Sequence, residues 1–354
     1  MSFKRVINVV ECHSGEPMPV ITGGAIPLKG KTVYEKMRYL EEHDDQMRHL
    51  LLNEPRGYPP RCCNLIVEPC DPRADAGYII MEHTEYPMMS GGNTIAVATV
   101  LLETGIIEMK EPYTDFTLET AGGLIGIHAE CHNGKCTQAT FKNMPAFSVY
   151  TDAEIELPVY GKVKVDVAWG GMFYVIADVR QFPGVEIVPE QGEEMSKILA
   201  LLLGAVNEQL PVSHPDFPGI GVTVAQLSGP TDNPNADWKN AVGMKLDEID
   251  LNDPATWHTA LDRCPCGTGT CAKMASLYAK GELKLNQKFR HENALGVIYT
   301  GELVEKTKVG DYEAVIPTIG GEAWIAGFNT LVLDSRDPFP DGYRMGDLWA
   351  MKKD

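Results

Sequence analysis

Absences narrow this sequence before any motif is considered. No apolar run is long enough to span a bilayer, since the longest, Ile198 to Val206, is about half of what a membrane helix needs. The opening residues carry a basic pair, Lys4-Arg5, but too short an apolar stretch before Glu11 and His13 for a secretory signal, so a cytoplasmic protein is expected. Basic charge is scarce: 31 Lys and Arg face 49 Asp and Glu, a net charge of -18, which argues against nucleic acid and anionic membrane as partners. There is no GxGxxG fingerprint, and Gly267-Thr-Gly-Thr270 lacks the lysine that follows in a phosphate loop. Cys-x-x-Cys pairs and clustered histidines are missing too, so no metal site is expected. The nine cysteines, an odd number without an export signal, read as thiols of a reducing compartment rather than a disulfide framework. What remains, 44% hydrophobic and 23% charged over 354 residues, is ordinary soluble material with length enough for two domains.

Two short stretches stand out against that background. Ser90-Gly-Gly-Asn-Thr-Ile-Ala96 and Cys266-Gly-Thr-Gly-Thr-Cys-Ala272 match as Ser or Cys, Gly, two small or polar residues, Thr, any residue, Ala. Each runs into a helix pattern, 95–103 or 272–280, that stops at a glycine, Gly105 or Gly281. Downstream, Glu119-Thr-Ala-Gly-Gly-Leu-Ile125 echoes Glu292-Asn-Ala-Leu-Gly-Val-Ile298. The repeat reads as an old duplication: two similar lobes facing each other across a cleft, each presenting one nucleophile-type side chain at a helix N-terminus. A glycine-rich turn there aims free N–H groups and the positive end of the helix dipole at an anion such as a carboxylate. The same environment is expected to lower a thiol pKa. Two such groups either side of a small carboxylate would remove and return a proton at the adjacent carbon.

The rest of the chain supplies the scaffold. Strands are expected at 5–10, 62–67, 76–81, 116–127, 136–141, 163–169, 173–179, 219–227, 297–304, 312–316 and 322–333, and amphipathic helices at 32–52 and 193–210. The Pro-rich, acidic stretch 148–158 is expected to cross between lobes, placing the first at 1–155 and the second at 156–333, with a tail, 334–354, packing back on the first. Strands outnumber helices and hairpin turns recur. An α+β pair of lobes, each a mostly antiparallel sheet wrapped around a central helix, fits better than a doubly wound parallel sheet.

Among single residues, Cys266 is the candidate catalytic thiol because of its glycine-rich turn, while Cys264 and Cys271 read as packing residues. Ser90 alone would be an ordinary N-cap serine; its register with Cys266 raises it. Asp262, four residues before Cys266, suits a substrate ammonium, and His13, beside Glu16, is a structural hydrogen bonder or a pocket residue.

The elements His13-Ser-Gly-Glu-Pro17, Met89-Ser-Gly-Gly-Asn93, Trp169-Gly-Gly171 and Asp262-Arg-Cys-Pro-Cys-Gly-Thr-Gly-Thr270 together resemble the proline racemase family over nearly the whole chain. The resemblance implies pseudo-symmetric lobes of the diaminopimelate epimerase-like kind, no cofactor, no metal, and two groups flanking the α-carbon of a proline-type amino acid. It implies that Gly91, Gly92, Asn93, Gly267 and Thr268 take part in binding substrate, chiefly its carboxylate, and that Asp262 holds its ring nitrogen. Two departures matter: family racemases and 4-hydroxyproline epimerases carry Cys in both motifs where this chain has Ser90, and their Cys-Gly-His becomes Ser90-Gly-Gly92. Members with Ser or Thr in one position resemble trans-3-hydroxy-L-proline dehydratases, some with epimerase side activity. That dehydratase is the expectation, with 4-hydroxyproline 2-epimerase as alternative and, from another class, a non-catalytic amino-acid-binding protein. The partner is a small molecule, and the sequence leaves a homodimer open.

Overall fold

The computed structural model describes residues 3–83, 85–217, 219–246, 248–346 and 349. The chain forms two compact units: one takes the residues up to Phe141 and from Gly321 onward, the other Lys142–Gly320. The division falls at 141/142 and 320/321, not at 155 and 333. The reason is that the stretch expected to cross between lobes is a strand, β9 below, hydrogen-bonded into the second unit.

The first unit is a sheet of β18 (Trp324–Asp334), β1 (Phe3–Ser14), β3 (Val20–Gly23), β4 (Cys63–Val67), β5 (Ala76–Met81), β6 (Tyr113–Thr120), β7 (Gly123–His132) and β8 (Lys135–Lys142), in that spatial order. A two-residue strand, β2 (Glu16–Pro17), folds back on the end of β1. Only β3/β4 and β5/β6 run parallel. The long strand expected over 116–127 is split into β6 and β7 by a turn at Ala121-Gly122. Likewise the single helix expected over 32–52 is two, α1 (Val33–Asp44) and α2 (Gln46–Leu52). The chain turns at Asp45, whose carboxylate accepts hydrogen bonds from Arg48 and from the Tyr86 hydroxyl. Ile7, Val9, Leu65, Ile79 and Met81 on the strands pack with Val33, Met37, Leu40, Leu50 and Leu51 on these helices. A third helix, α3 (Gly91–Glu103), is buried from Gly91 to Leu102 and touches β1, β3, β4 and β18. The described part of the tail packs on this unit, with Asp337 accepting from Arg56 and the Trp349 indole donating to Glu54.

The second unit closes on itself. Its ring runs β9 (Ala146–Leu157), β10 (Gly161–Trp169), β11 (Phe173–Asp178), β12 (Val222–Gly229), β13 (Trp238–Met244), β15 (Lys288–Asn293), β16 (Ile298–Val309), β17 (Tyr312–Gly321) and back to β9, with a short β14 (Ala260–Leu261) beside β13. Again only two pairings, β11/β12 and β13/β15, are parallel. The helix α4 (Gly192–Gln209) buries Ile198, Leu199, Leu202 and Val206 against Val163, Val165, Val167 and Leu227. Opposite-facing residues of the same strands, Ala168, Tyr174, Ile176 and Val224, meet Cys266 and Ala272 instead. The helix that follows Cys266, α5 (Gly267–Ala279), is buried to Leu277 and touches β9, β10, β11 and β16. Strands β9, β13 and β15 had no counterpart among the expected elements.

Candidate active site

Both helix openings have the backbone expected of an anion-accepting turn. In α3 the first three N–H groups belong to Gly91, Gly92 and Asn93, in α5 to Gly267, Thr268 and Gly269; a helix gives its first amides no internal acceptor. Neither Ser90 nor Cys266 caps its helix with its own side chain. Thr94 N donates to Ser90 O at 3.0 Å, and Thr270 N to Cys266 O at 2.8 Å, so the two turns are closed alike.

The side chains around them differ. Ser90 is half-buried in ordinary extended backbone, φ -148° and ψ 131°. Its hydroxyl accepts from Asn93 Nδ2 at 3.0 Å, and Asn93 Oδ1 in turn accepts from Asn64 Nδ2 on β4 at 2.7 Å. No carboxylate or histidine hydrogen-bonds the hydroxyl among the described residues. Beneath it, Thr94 Oγ1 bridges Ser90 O at 2.7 Å and the Tyr78 hydroxyl at 2.7 Å.

Cys266 is 8% exposed and sits at φ 60°, ψ 105°, a left-handed conformation that costs a non-glycine residue on the order of 1–3 kcal/mol. Its Sγ lies 3.2 Å from the Tyr174 hydroxyl, which also contacts Thr268 Oγ1 at 2.6 Å. Its own N–H donates to Cys264 Sγ at 3.4 Å, so Cys264 is a neighbour that shapes the turn rather than only a packing residue. Asp262 is held by its backbone N–H to Val242 O at 2.9 Å, and its carboxyl hydrogen-bonds the Cys266 thiol.

These contacts set the acid–base state. Burial pushes the Asp262 carboxyl up to about 6, against the opposing pull of the Cys266 hydrogen bond and the Arg263 charge. The Cys266 thiol is pushed well up, first by burial and then by the Asp262 charge, although Tyr174 and the Gly269 N–H both favour the thiolate. This reverses the expectation of a lowered thiol. The helix end does pull the thiol down, but burial and a neighbouring carboxylate outweigh it. Burial, followed by the Cys266 and Asp262 charges, likewise raises Tyr174, which therefore stays protonated and able to donate.

The Trp169-Gly170-Gly171 element explains itself here. A Cβ on Gly170 would stand 2.1 Å from Thr268 O and 2.5 Å from Ala272 N, so the first turn of α5 rests directly on that backbone. Asn143 Nδ2 fixes the contact from outside, donating to Gly170 O at 2.9 Å and to Cys271 Sγ at 3.1 Å. His13 is elsewhere in character: Nδ1 accepts from Gly15 N at 3.4 Å and its ring leans on Trp324, both local to the end of β1. Sequence reasoning missed Tyr174, Asn64 and Gln226, which sit within strand patterns that read as plain core. All nine cysteines are free, and among the described residues no three His, Cys, Asp or Glu side chains gather as a metal site needs.

Comparison with known proteins decides the family. The proline racemase family model matches residues 9–344. The chain belongs to the proline racemase family. A proline racemase of Clostridioides difficile is 36% identical over 345 residues, spanning 97% of this chain and 99% of that protein. A hydroxyproline epimerase from Agrobacterium vitis, solved with bound trans-4-OH-L-proline, superposes with a TM-score of 0.84 at 35% identity, covering 99% of this chain and 98% of that one. A probable proline racemase from Agrobacterium radiobacter K84, with bound carbonate, gives 0.83 at 33% identity over 97% and 98% of the two chains. A PhzF-family phenazine biosynthesis protein of Bacillus anthracis, at 13% identity and a TM-score of 0.57 over 93% of this chain and 99% of that one, shares the fold alone. The fold is thus the sheet-rich α+β fold of proline racemase and PhzF proteins, and the chain is an enzyme of the racemase and epimerase family.

Proposed function

We propose that this enzyme is a cofactor-independent trans-3-hydroxy-L-proline dehydratase. One observation carries the reading: the acid–base equipment is concentrated at one helix opening. Cys266 has a carboxyl, a phenol and a threonine hydroxyl around it, whereas the Ser90 hydroxyl is held by an amide and has no base beside it. Exchange of an α-proton with inversion needs two competent groups; elimination needs one.

In the proposed reaction the substrate carboxylate takes the free amides of Gly267 and Thr268, and its ring ammonium lies against Asp262. That ammonium neutralises the charge that raises the thiol, so binding itself favours loss of the thiol proton to solvent and leaves a thiolate in place. The thiolate takes the α-proton, and the carbon–hydrogen electron pair becomes the double bond as the 3-hydroxyl departs. The proton now on sulfur passes to that hydroxide, giving water and restoring the thiolate. The enamine tautomerises to Δ1-pyrroline-2-carboxylate. Ser90, whose oxygen Asn93 holds, takes no proton in this scheme.

A second reading is 4-hydroxyproline 2-epimerase, favoured by the trans-4-OH-L-proline bound to the Agrobacterium vitis neighbour. Incubation with each 3- and 4-hydroxyproline isomer in deuterated water separates them. The dehydratase reading expects imine from the trans-3 isomer; α-deuteration with inversion of the 4-hydroxy isomers, and no imine, would replace it with the epimerase. No reaction with any isomer would sink both and leave the binding protein.

A further inference from the structure

The repeat aligns the two units residue by residue, and at one place it leaves a polar side chain without a partner. Glu119 and Glu292 are equivalent in the repeat, and they pair with Gly77 on β5 and Lys239 on β13. Three residues further along those strands are Ile80 and Val242, which pair with Asn64 on β4 and Gln226 on β12. Asn64 and Gln226 therefore hold the same position, and Asn93 and Gly269 hold the same position in the two helix openings. In the first unit this position is the start of a relay, Asn64 to Asn93 to Ser90 Oγ. In the second, the middle of the relay is a glycine and the strand residue is one methylene longer.

That exchange of length is compensatory. A Cβ on Gly269 would stand 2.9 Å from Gln226 Oε1 and 3.2 Å from Cys266 Sγ, so the Gln226 amide and the thiol flank the spot that an Asn93-like side chain would fill. Gln226 is fully buried, yet neither its Nε2 nor its Oε1 has a hydrogen-bond partner. An amide left so is destabilising, since it has given up water and gained nothing in return. Such a cost is tolerable where the group is used in another state of the site. The groups that face Cys266 are Tyr174 from β11, Asp262 with Arg263 behind it, and Cys264 from the approach to α5; from β12, Gln226 adds a neutral donor.

We propose that Gln226 is the positioning residue of the Cys266 thiolate: with its amide turned so that Nε2 takes the place of Oε1, it donates to Sγ once the thiol has lost its proton, as Asn93 donates to Ser90. It holds the sulfur on the line of attack and keeps it ionised between proton transfers. The inference rests on Cys266 being the base of the proposed reaction. It does not depend on which hydroxyproline is turned over.

The test is Gln226→Met, which keeps length and removes the donor. The readout, in the absence of substrate, is the rate of iodoacetamide alkylation of Cys266 against pH, followed at the peptide level by mass spectrometry. The midpoint should rise by about one pH unit or more, as loss of a hydrogen bond to a charged group requires. With the substrate that the parent turns over, kcat should fall on the order of tenfold while KM changes little. Gln226→Glu, which keeps the shape and adds a like charge, should raise the midpoint as well, and serves if Gln226→Met does not fold. An unchanged midpoint in a folded variant overturns the inference. A raised midpoint in an enzyme that proves to be an epimerase supports it while the dehydratase reading fails.

Discussion

The first turns of α3 and α5 match in sequence and in backbone closure, and their differences are more informative than their likeness. Each opens on amides that the helix itself leaves without an acceptor, each is closed by a threonine four residues on, and each is buried for nearly its whole helix. Yet Ser90 rests in relaxed backbone with an amide on its oxygen, while Cys266 is held in a left-handed conformation among a carboxyl, a phenol and two hydrogen-bonding neighbours. In the proposed reaction the likeness serves anion binding, and the difference confines the proton chemistry to the Cys266 opening. The distinction extends inward along the helices, where Val97 of α3 is replaced by Lys273 of α5, buried over the Trp238 ring at 4.4 Å.

The largest effect that tests this asymmetry is the loss of Cys266. Cys266→Ala should reduce turnover on the order of a thousandfold or more without unfolding the chain, since it removes the proposed base. Ser90→Ala should retain easily measured dehydration, within about tenfold of the parent, because it loses an orienting group and not the base. Steady-state rates with circular dichroism as a folding check decide it. Equal losses at both positions would mean that the two openings share the chemistry evenly, and the comparison fails.

Asp262 sharpens the comparison through pH. Its carboxyl, ordinarily near 3.8, is pushed up to about 6 by burial in the free enzyme. Binding of a ring ammonium needs the ionised form, so this group alone should make kcat/KM fall about tenfold per pH unit below about 6. Stability moves the other way. The native carboxyl retains its proton over a range where the unfolded one has lost it, so this group's contribution declines as pH rises from about 4 to about 6 and is constant beyond. Asp262→Asn should raise KM and abolish the acid limb; a limb that persists in the variant would assign it to another group.

What the sequence made legible, and what it hid, follows from which residues face inward. The two motifs, the helices after them and the apolar strands β4, β5 and β10 were all visible, because their patterns are carried by Val, Ile and Leu at the expected periods. Strands β13 and β15 were not. Their buried residues include Asn240, His291, Glu292 and Asn293, polar groups facing a polar interior, so the alternation that marks a strand is missing. Strand β9 was taken for a linker because Asp152, Glu154 and Glu156 dominate its composition, while Ile155 and Leu157 do the packing. In β10 the alternation Val163-Lys-Val-Asp-Val does not show that Asp166 is buried and accepts a hydrogen bond from Ser276 on α5. At the site, Ser90, Cys266 and Asp262 could be picked out from their turns. Tyr174 and Gln226 could not, since a single polar residue in a buried strand has no sequence signature until the register places it.

The smallest expected effect concerns the backbone alone, and it should carry opposite signs in the two units. At position 266 the left-handed φ of 60° strains any residue with a Cβ, so Cys266→Gly should be more stable than Cys266→Ala by about 1 kcal/mol once the flexibility that glycine adds to the unfolded chain is allowed for. At position 90 the backbone is extended, φ -148°, and the serine makes no cap bond of its own. There a Cβ costs nothing, and Ser90→Gly should be less stable than Ser90→Ala by about 0.4–1 kcal/mol. Urea unfolding of the four variants gives both differences, and activity plays no part in them. If glycine destabilises position 266 as it does position 90, the left-handed turn is not a fixed feature of the Cys266 opening. The Cys266 opening would then share the relaxed backbone of the Ser90 opening, and the two would differ in side chains alone.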